Sequence, residues 1–140
     1  YADGVELELG RAYVLREGAD ATVVACGVEV EQSLKAAEAL AAEGVDVEVI
    51  DAFSVKPLDE KTVLASVRKT GRVVVAEEHS VHGGLGSAVA EVLARKLPAP
   101  AEFVGMRDAF GKSGEFEELL DYFDLGSGAI VEAVKRVMGR

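Results

Sequence analysis

Five short apolar runs alternate along this chain with stretches of helical period, and the spacing between the last four of them most constrains the fold. The runs are residues 12–16 (AYVLR), 21–26 (ATVVAC), 45–52 (VDVEVIDA), 72–76 (RVVVA) and 101–106 (AEFVGM). They are β-prone, and from the second onward each is separated from the next by far more than a tight turn. Links of roughly a dozen residues or more demand crossovers, so those strands should run parallel. The crossovers read as helices. Val30, Leu34, Ala37 and Ala41 recur at helical spacing over residues 28–43, and Gly44 stands where that helix would stop. Pro57 precedes Asp59, a good N-cap for a helix carrying Val63, Leu64 and Val67 and closed by Gly71. A third helix over residues 86–97 carries Val89, Val92, Leu93 and Leu97, with Pro98 and Pro100 beyond it. Two more finish the chain, one with Phe116, Leu119, Leu120 and Phe123, the other with Ile130, Val131, Val134 and Val137.

The first two runs differ. Only Glu17-Gly18-Ala19-Asp20 lies between them, a composition that suits a hairpin and predicts an antiparallel pair. Ahead of them Val5, Leu7 and Leu9 alternate with Glu6 and Glu8, an extended lead-in ended by Gly10. Residues 72–76 are the most apolar run and should be central, buried on both faces. The expected fold is α/β: a three-layer α/β/α sandwich around a mixed sheet of about five strands, mostly parallel with one antiparallel. Residues 1–10 read as a lead-in or linker and residues 11–140 as one domain.

Composition narrows the function. The net charge of −10 comes from carboxylates spread along helix faces, without the basic stripe that neutralises phosphates, so nucleic acid is not an expected partner. No apolar run approaches the roughly 20 residues that span a bilayer, so neither is a membrane. Cys26 is the only cysteine, which rules out an intrachain disulfide and fits a reducing, cytoplasmic setting. No signal peptide opens the chain, and Tyr1 in place of methionine means a trimmed chain or a piece of something longer.

Ligands of open α/β sheets gather beyond the carboxyl ends of the parallel strands. The segment Glu77-Glu78-His79-Ser80-Val81-His82-Gly83-Gly84-Leu85-Gly86-Ser87 leaves the buried strand at that edge and enters a helix. Gly84 and Gly86 open a dinucleotide-type fingerprint, but Val89 holds the third glycine's place. A helix N-terminus attracts anions, yet two carboxylates just ahead of it would repel one. Close packing of the helix on the sheet or on another domain is the better account of the glycines. His79 and His82 have chelating spacing but supply only two imidazoles. Either one, beside a carboxylate, could serve as an acid or base or as a contact at an interface. Gly111-Lys112-Ser113 lacks the upstream glycine of a phosphate loop, since that place is Met106, and reads as a turn with Ser113 capping the next helix. Cys26 ends a strand with no base beside it and reads as a small buried apolar residue. No self-sufficient catalytic constellation emerges.

Five stretches together resemble a known family. They are residues 10–18 (GRAYVLREG), the step at Ala25-Cys26-Gly27, Ile50 to Leu58 with its Lys56-Pro57-Leu58-Asp59, Glu77-Glu78-His79 with Gly83 to Glu91, and residues 108–115 (DAFGKSGE). In order and spacing they look like the C-terminal domain of transketolase-type thiamine enzymes, closest to short or split transketolases. They are less similar to deoxyxylulose-phosphate synthase and to the β-subunits of 2-oxo-acid dehydrogenases. The resemblance implies an enzyme that moves a two-carbon ketol unit between sugar phosphates, as in the pentose phosphate pathway. It implies that thiamine diphosphate and Mg2+ are bound by two other domains and not by this chain, which would carry no catalytic, cofactor-binding or metal-binding residue and would be inactive alone. The implied partners are those N-terminal domains, on the same or another subunit, within a homo-oligomer. Glu78, His79, His82, Gly83, Gly84 and Gly86 are the interface candidates at a dimer or domain contact. A reading of another class is a stand-alone anion-binding or regulatory module using the same glycine-rich edge.

Overall fold

The computed structural model describes residues 6–139. Its elements, in chain order, are β1 (Tyr13–Arg16), β2 (Ala21–Ala25), α1 (Glu29–Ala42), β3 (Val47–Asp51), α2 (Glu60–Thr70), β4 (Val73–Ser80), α3 (Leu85–Lys96), β5 (Ala101–Met106), α4 (Phe116–Tyr122) and α5 (Ser127–Met138). The five strands form one sheet in the order β1-β3-β2-β4-β5. β2 is parallel to both β3 and β4, and β5 is parallel to β4. β1 alone is antiparallel, against β3. The mixed five-strand α/β sandwich expected from the sequence is therefore the fold.

The first two strands are not a hairpin. β1 runs opposite to β2, but β3 lies between them. The link over residues 17–20 crosses the start of β3 instead of folding back on a neighbour. The amides of Ala19 and Asp20 both donate to the carbonyl of Asp46, at 3.0 and 2.8 Å. Gly18 lies so close to β3 that a Cβ there would stand 2.3 Å from the amide nitrogen of Glu48. A four-residue link can span two strand spacings of about 5 Å each, so the same sequence permits a neighbour or a gap. The lead-in differs too. Leu7 and Leu9 form no strand: the chain turns at Leu9-Gly10, with Gly10 at φ 82°, while Val5 lies outside the described residues.

Alternation along the central strands feeds two cores. Val23, Val49, Val74 and Ala76 face α1 and α5, packing on Ala37, Leu40, Ile130 and Val134. Val24, Ile50, Val73 and Val75 face α2 and α3, packing on Val63, Val67, Leu85 and Val89. Each of these central valines is at most 1% exposed. Burying one stabilises by about 1.5–3 kcal/mol relative to leaving it in water. α2 ends as expected at Gly71, left-handed at φ 76°. Its N-cap Asp59 accepts from the amide of Thr62 at 3.1 Å, from the Thr62 hydroxyl at 2.8 Å and from the amide of Ala12 at 3.0 Å. That one carboxylate fastens the start of β1 to the start of α2. Burial would raise its pKa, but these hydrogen bonds, with Arg11 nearby, outweigh burial and lower it.

Candidate functional site

The chain leaves β2 through α1 toward β3, and β4 lies on the other side of β2. The crevice beyond the carboxyl ends of β2 and β4 is thus the topological switch point, where ligands of such sheets gather. β4 reaches it later than expected. It continues past Ala76 through Ser80, with an irregularity in its pairing with β5 between Ala76 and Ser80. Glu77 is therefore a buried strand residue, 3% exposed.

Its carboxylate turns to the N-terminus of α3. Oε2 accepts from the amide of Leu85 at 2.7 Å and Oε1 from the amide of Gly86 at 2.8 Å. Helix N-termini attract anions because their first amides lack partners and the dipole is positive there. In this chain that place is taken by its own glutamate. The expectation that carboxylates ahead of the helix would only repel an anion misses this: Glu77 is the anion. The glycines follow from it. A Cβ on Gly84 would lie 2.0 Å from Glu77 Oε2, and one on Gly86 would lie 2.8 Å from the Phe103 ring on β5. They serve close packing of α3 on the sheet.

Glu78, His79, His82 and Gly83 are exposed around this clamp, and Gly84 is half-buried. His79 Nδ1 lies 2.9 Å from the carbonyl oxygen of Ser80 and 3.9 Å from Glu77 Oε2. The amide of His82 donates to the Ser80 hydroxyl, and that of Gly83 to the Ser87 hydroxyl at 2.8 Å. Among the described residues no group of three or more His, Cys, Asp or Glu is arranged to hold a metal ion. An open groove of about 590 Å³ runs beside the loop, between His82, Ser87 and Ala90 on one side and Phe103 of the edge strand with Arg107 just past its end on the other.

Buried Glu29 and half-buried Cys26 complete the switch point. Glu29, at the first position of α1, is 0% exposed, and neither carboxylate oxygen has a hydrogen-bond partner. Burial, then the charge of Glu78, pushes its pKa up to about 7. Cys26 is half-buried, one residue past the end of β2, against the core under α2 and α3. Burial, then the charges of Glu77, Asp51 and Glu29, raises its thiol to about 11. That is the opposite of what a nucleophile needs. Glu29 escapes a sequence reading because an acidic residue in the first helical turn is ordinary on the surface, and only the packing of the folded domain buries it.

Residues 107–115 form an exposed loop after β5. Ser113 does not cap α4; the N-cap is Glu115, without a side-chain hydrogen bond. Phe110 is 99% exposed. Lys112 lies over the Tyr122 ring, its nitrogen 4.2 Å from the centroid.

Comparison with known proteins agrees with this architecture. A family model described as "Transketolase, C-terminal domain" matches residues 10–130. A 6-deoxy-6-sulfo-D-fructose transketolase subunit, SqwH, from Clostridium sp. (strain MSTE9) is 48% identical over 135 residues, covering 96% of this chain and 42% of the relative. A putative transketolase C-terminal section from Methanocaldococcus jannaschii is 38% identical, covering 94% of this chain and 41% of that protein. A solved structure described as a split gene transketolase, inactive beta4 tetramer, superposes with a TM-score of 0.93 at 44% identity, covering 99% of this chain and 45% of that one. The chain thus spans less than half the length of these relatives. With the family model matching most of its length, the chain belongs to the transketolase C-terminal domain family.

Proposed function

We propose that this chain is the C-terminal section of a split-type transketolase and serves two-carbon ketol transfer between sugar phosphates by joining thiamine-diphosphate-binding domains into a working assembly. The observation that carries this reading is the Glu77 clamp in a domain of this family. The amides of Leu85 and Gly86, which could cradle a diphosphate at the switch point, already hold Glu77. The residues here do not fit thiamine diphosphate or its metal, so both belong to the other domains. No side chain of this chain carries a step; its contribution is rigidity and placement. The exposed loop of Glu78, His79, His82 and Gly83, with Gly84 behind it, is a contact surface for those domains or for a second copy. The assembly is an oligomer that works in the cytoplasm.

The reading is tested by capturing partners from the source cell's extract with this chain as bait. The captured material should catalyse thiamine-diphosphate-dependent ketol transfer. An inactive capture without a thiamine enzyme, from an extract that is itself active, would count against it.

A further inference from the structure

We propose that the groove on the flank of α2, over β1 and β3, is a binding site for a sugar phosphate, in which Glu48 accepts from a sugar hydroxyl and Lys61 holds the phosphate. The site is built by this chain alone and does not depend on the assembly reading above.

The groove follows from the sheet order. On this face α2 packs chiefly over β2, while β1 is the edge strand beyond β3. Val14 of β1 stands opposite Ile50, whose side chain belongs to the core under α2. Side chains alternate along a strand, so Val14 and Glu48 share that face. α2 does not close over them: Val14 is 39% exposed. Between them and Ala65 of α2 lies an open groove of about 330 Å³, a size that suits a small ligand.

One side chain in its lining points to a ligand. Glu48 is 1% exposed. Its Oε2 accepts from Lys69, which also donates to Glu17 at 2.7 Å. Its Oε1 is buried and has no hydrogen-bond partner. A buried acceptor left without a donor destabilises a fold, and native proteins keep few of them. Lys69 sets what kind of donor fits. Its ammonium already lies against Glu48, so an amine or a metal ion there would meet a like charge, and an uncharged hydroxyl would not. The Lys69 side chain is 43% exposed on a flexible stem, so it can yield to admit that hydroxyl. The rest of the groove fits the rest of such a ligand. Thr62 and Ser66, one helical turn apart, place two hydroxyls along its wall. The Thr62 hydroxyl donates to Asp59, which leaves its lone pairs for a ligand hydroxyl. Lys61 is exposed and makes no ion pair among the described residues. It stands two turns of α2 before Lys69, about 12 Å along the helix. An acceptor at one end, hydroxyls between and an unpaired ammonium at the other match a polyol that carries one phosphate.

The test records amide proton–nitrogen correlation spectra of the chain as D-ribose 5-phosphate is added up to about 10 mM, enough to saturate a site of millimolar affinity. The amides of Glu48, Thr62 and Ser66 should shift together and saturate. Lys61→Ala, a change at an exposed side chain, should weaken binding roughly tenfold or more. Inorganic phosphate should move Lys61 and Thr62 but leave Glu48 in place. No saturable shift at Glu48, or an unchanged titration of Lys61→Ala, would overturn the inference. So would equal shifts from inorganic phosphate at every one of these amides, which would mean anion attraction without a sugar site. Glu48→Gln should reduce the affinity for ribose 5-phosphate to that for inorganic phosphate, and a variant that still prefers the sugar would remove Glu48 from the site. If Glu48→Gln does not fold, the Lys61→Ala titration decides alone. The assembly reading stands or falls separately, on the ketol transfer of captured material.

Discussion

Gly84 and Glu77 stand so close that a single methyl on the glycine would lie 2.0 Å from the glutamate's Oε2. The contact is a by-product of the two hydrogen bonds by which Glu77 caps α3. Gly84→Ala must push the carboxylate off the amides or shift the helix, costing about 1–3 kcal/mol as overpacking does. Glu77→Gln keeps the shape but turns an NH2 group toward a backbone N–H, leaving a buried donor unpaired at a cost of about 1–3 kcal/mol. Both variants should lower the urea midpoint without changing the slope. An unshifted midpoint in either would mean the clamp is not made in solution.

Asp59 predicts a second, independent loss. Its carboxylate holds the amides of Thr62 and Ala12, which belong to different elements. Asp59→Ala should cost about 1–2 kcal/mol for the cap. It should also speed amide exchange at Ala12, 47 residues away in sequence, which a purely local cap would leave untouched. The lowered Asp59 pKa stabilises the fold above the ordinary carboxyl value of 3.8, and this contribution fades as pH falls through the depressed one.

The layers were legible because period and spacing are local signals. The valines of 72–76, the Asp59 cap and Gly71 each declare themselves within a few residues, and each stands in the structure as read. The β1 partner was not legible. Residues 17–20 fit a hairpin and fit a bridge over β3 equally well, and the choice is made by Asp46, which arrives only after α1. The same limit hid the clamp. The Gly84 and Gly86 pattern announces a tight helix start, but nothing local says that the group filling it is Glu77, a strand residue eight positions before Leu85. Glu29 reads as a solvated first-turn acid until the neighbouring elements bury it.

Cys26 should be unreactive. With its thiol raised to about 11, only about one molecule in a thousand carries the thiolate at pH 8, and the thiolate is the reacting form. Iodoacetamide labelling of the folded chain at pH 8 should be far slower than of the urea-unfolded chain, monitored by intact mass. Equal rates would remove the case against Cys26 as a nucleophile.

Glu29 makes the last prediction, and its sign is opposite to that of Asp59. Burial and the Glu78 charge raise its pKa from 4.5 to about 7, and no hydrogen-bond donor meets its oxygens. Its unfolded form loses the proton first. Below pH 4.5 it is neutral in both states and costs the fold nothing by ionising. As pH rises toward 7 the unfolded chain ionises freely while the folded one resists, so stability falls, by up to roughly 3 kcal/mol over that interval. Above about 7 the loss levels off. Glu17, Glu60 and Asp59, with lowered values, push the other way at acid pH, so the effect is read as a difference between two proteins. Glu29→Gln should match the parent near pH 4, gain on it steadily through neutrality and stay more stable at pH 8. If the two stability curves run parallel from pH 4 to 8, the Glu29 carboxyl has found a partner or water, and the switch point is more open than its buried side chains imply.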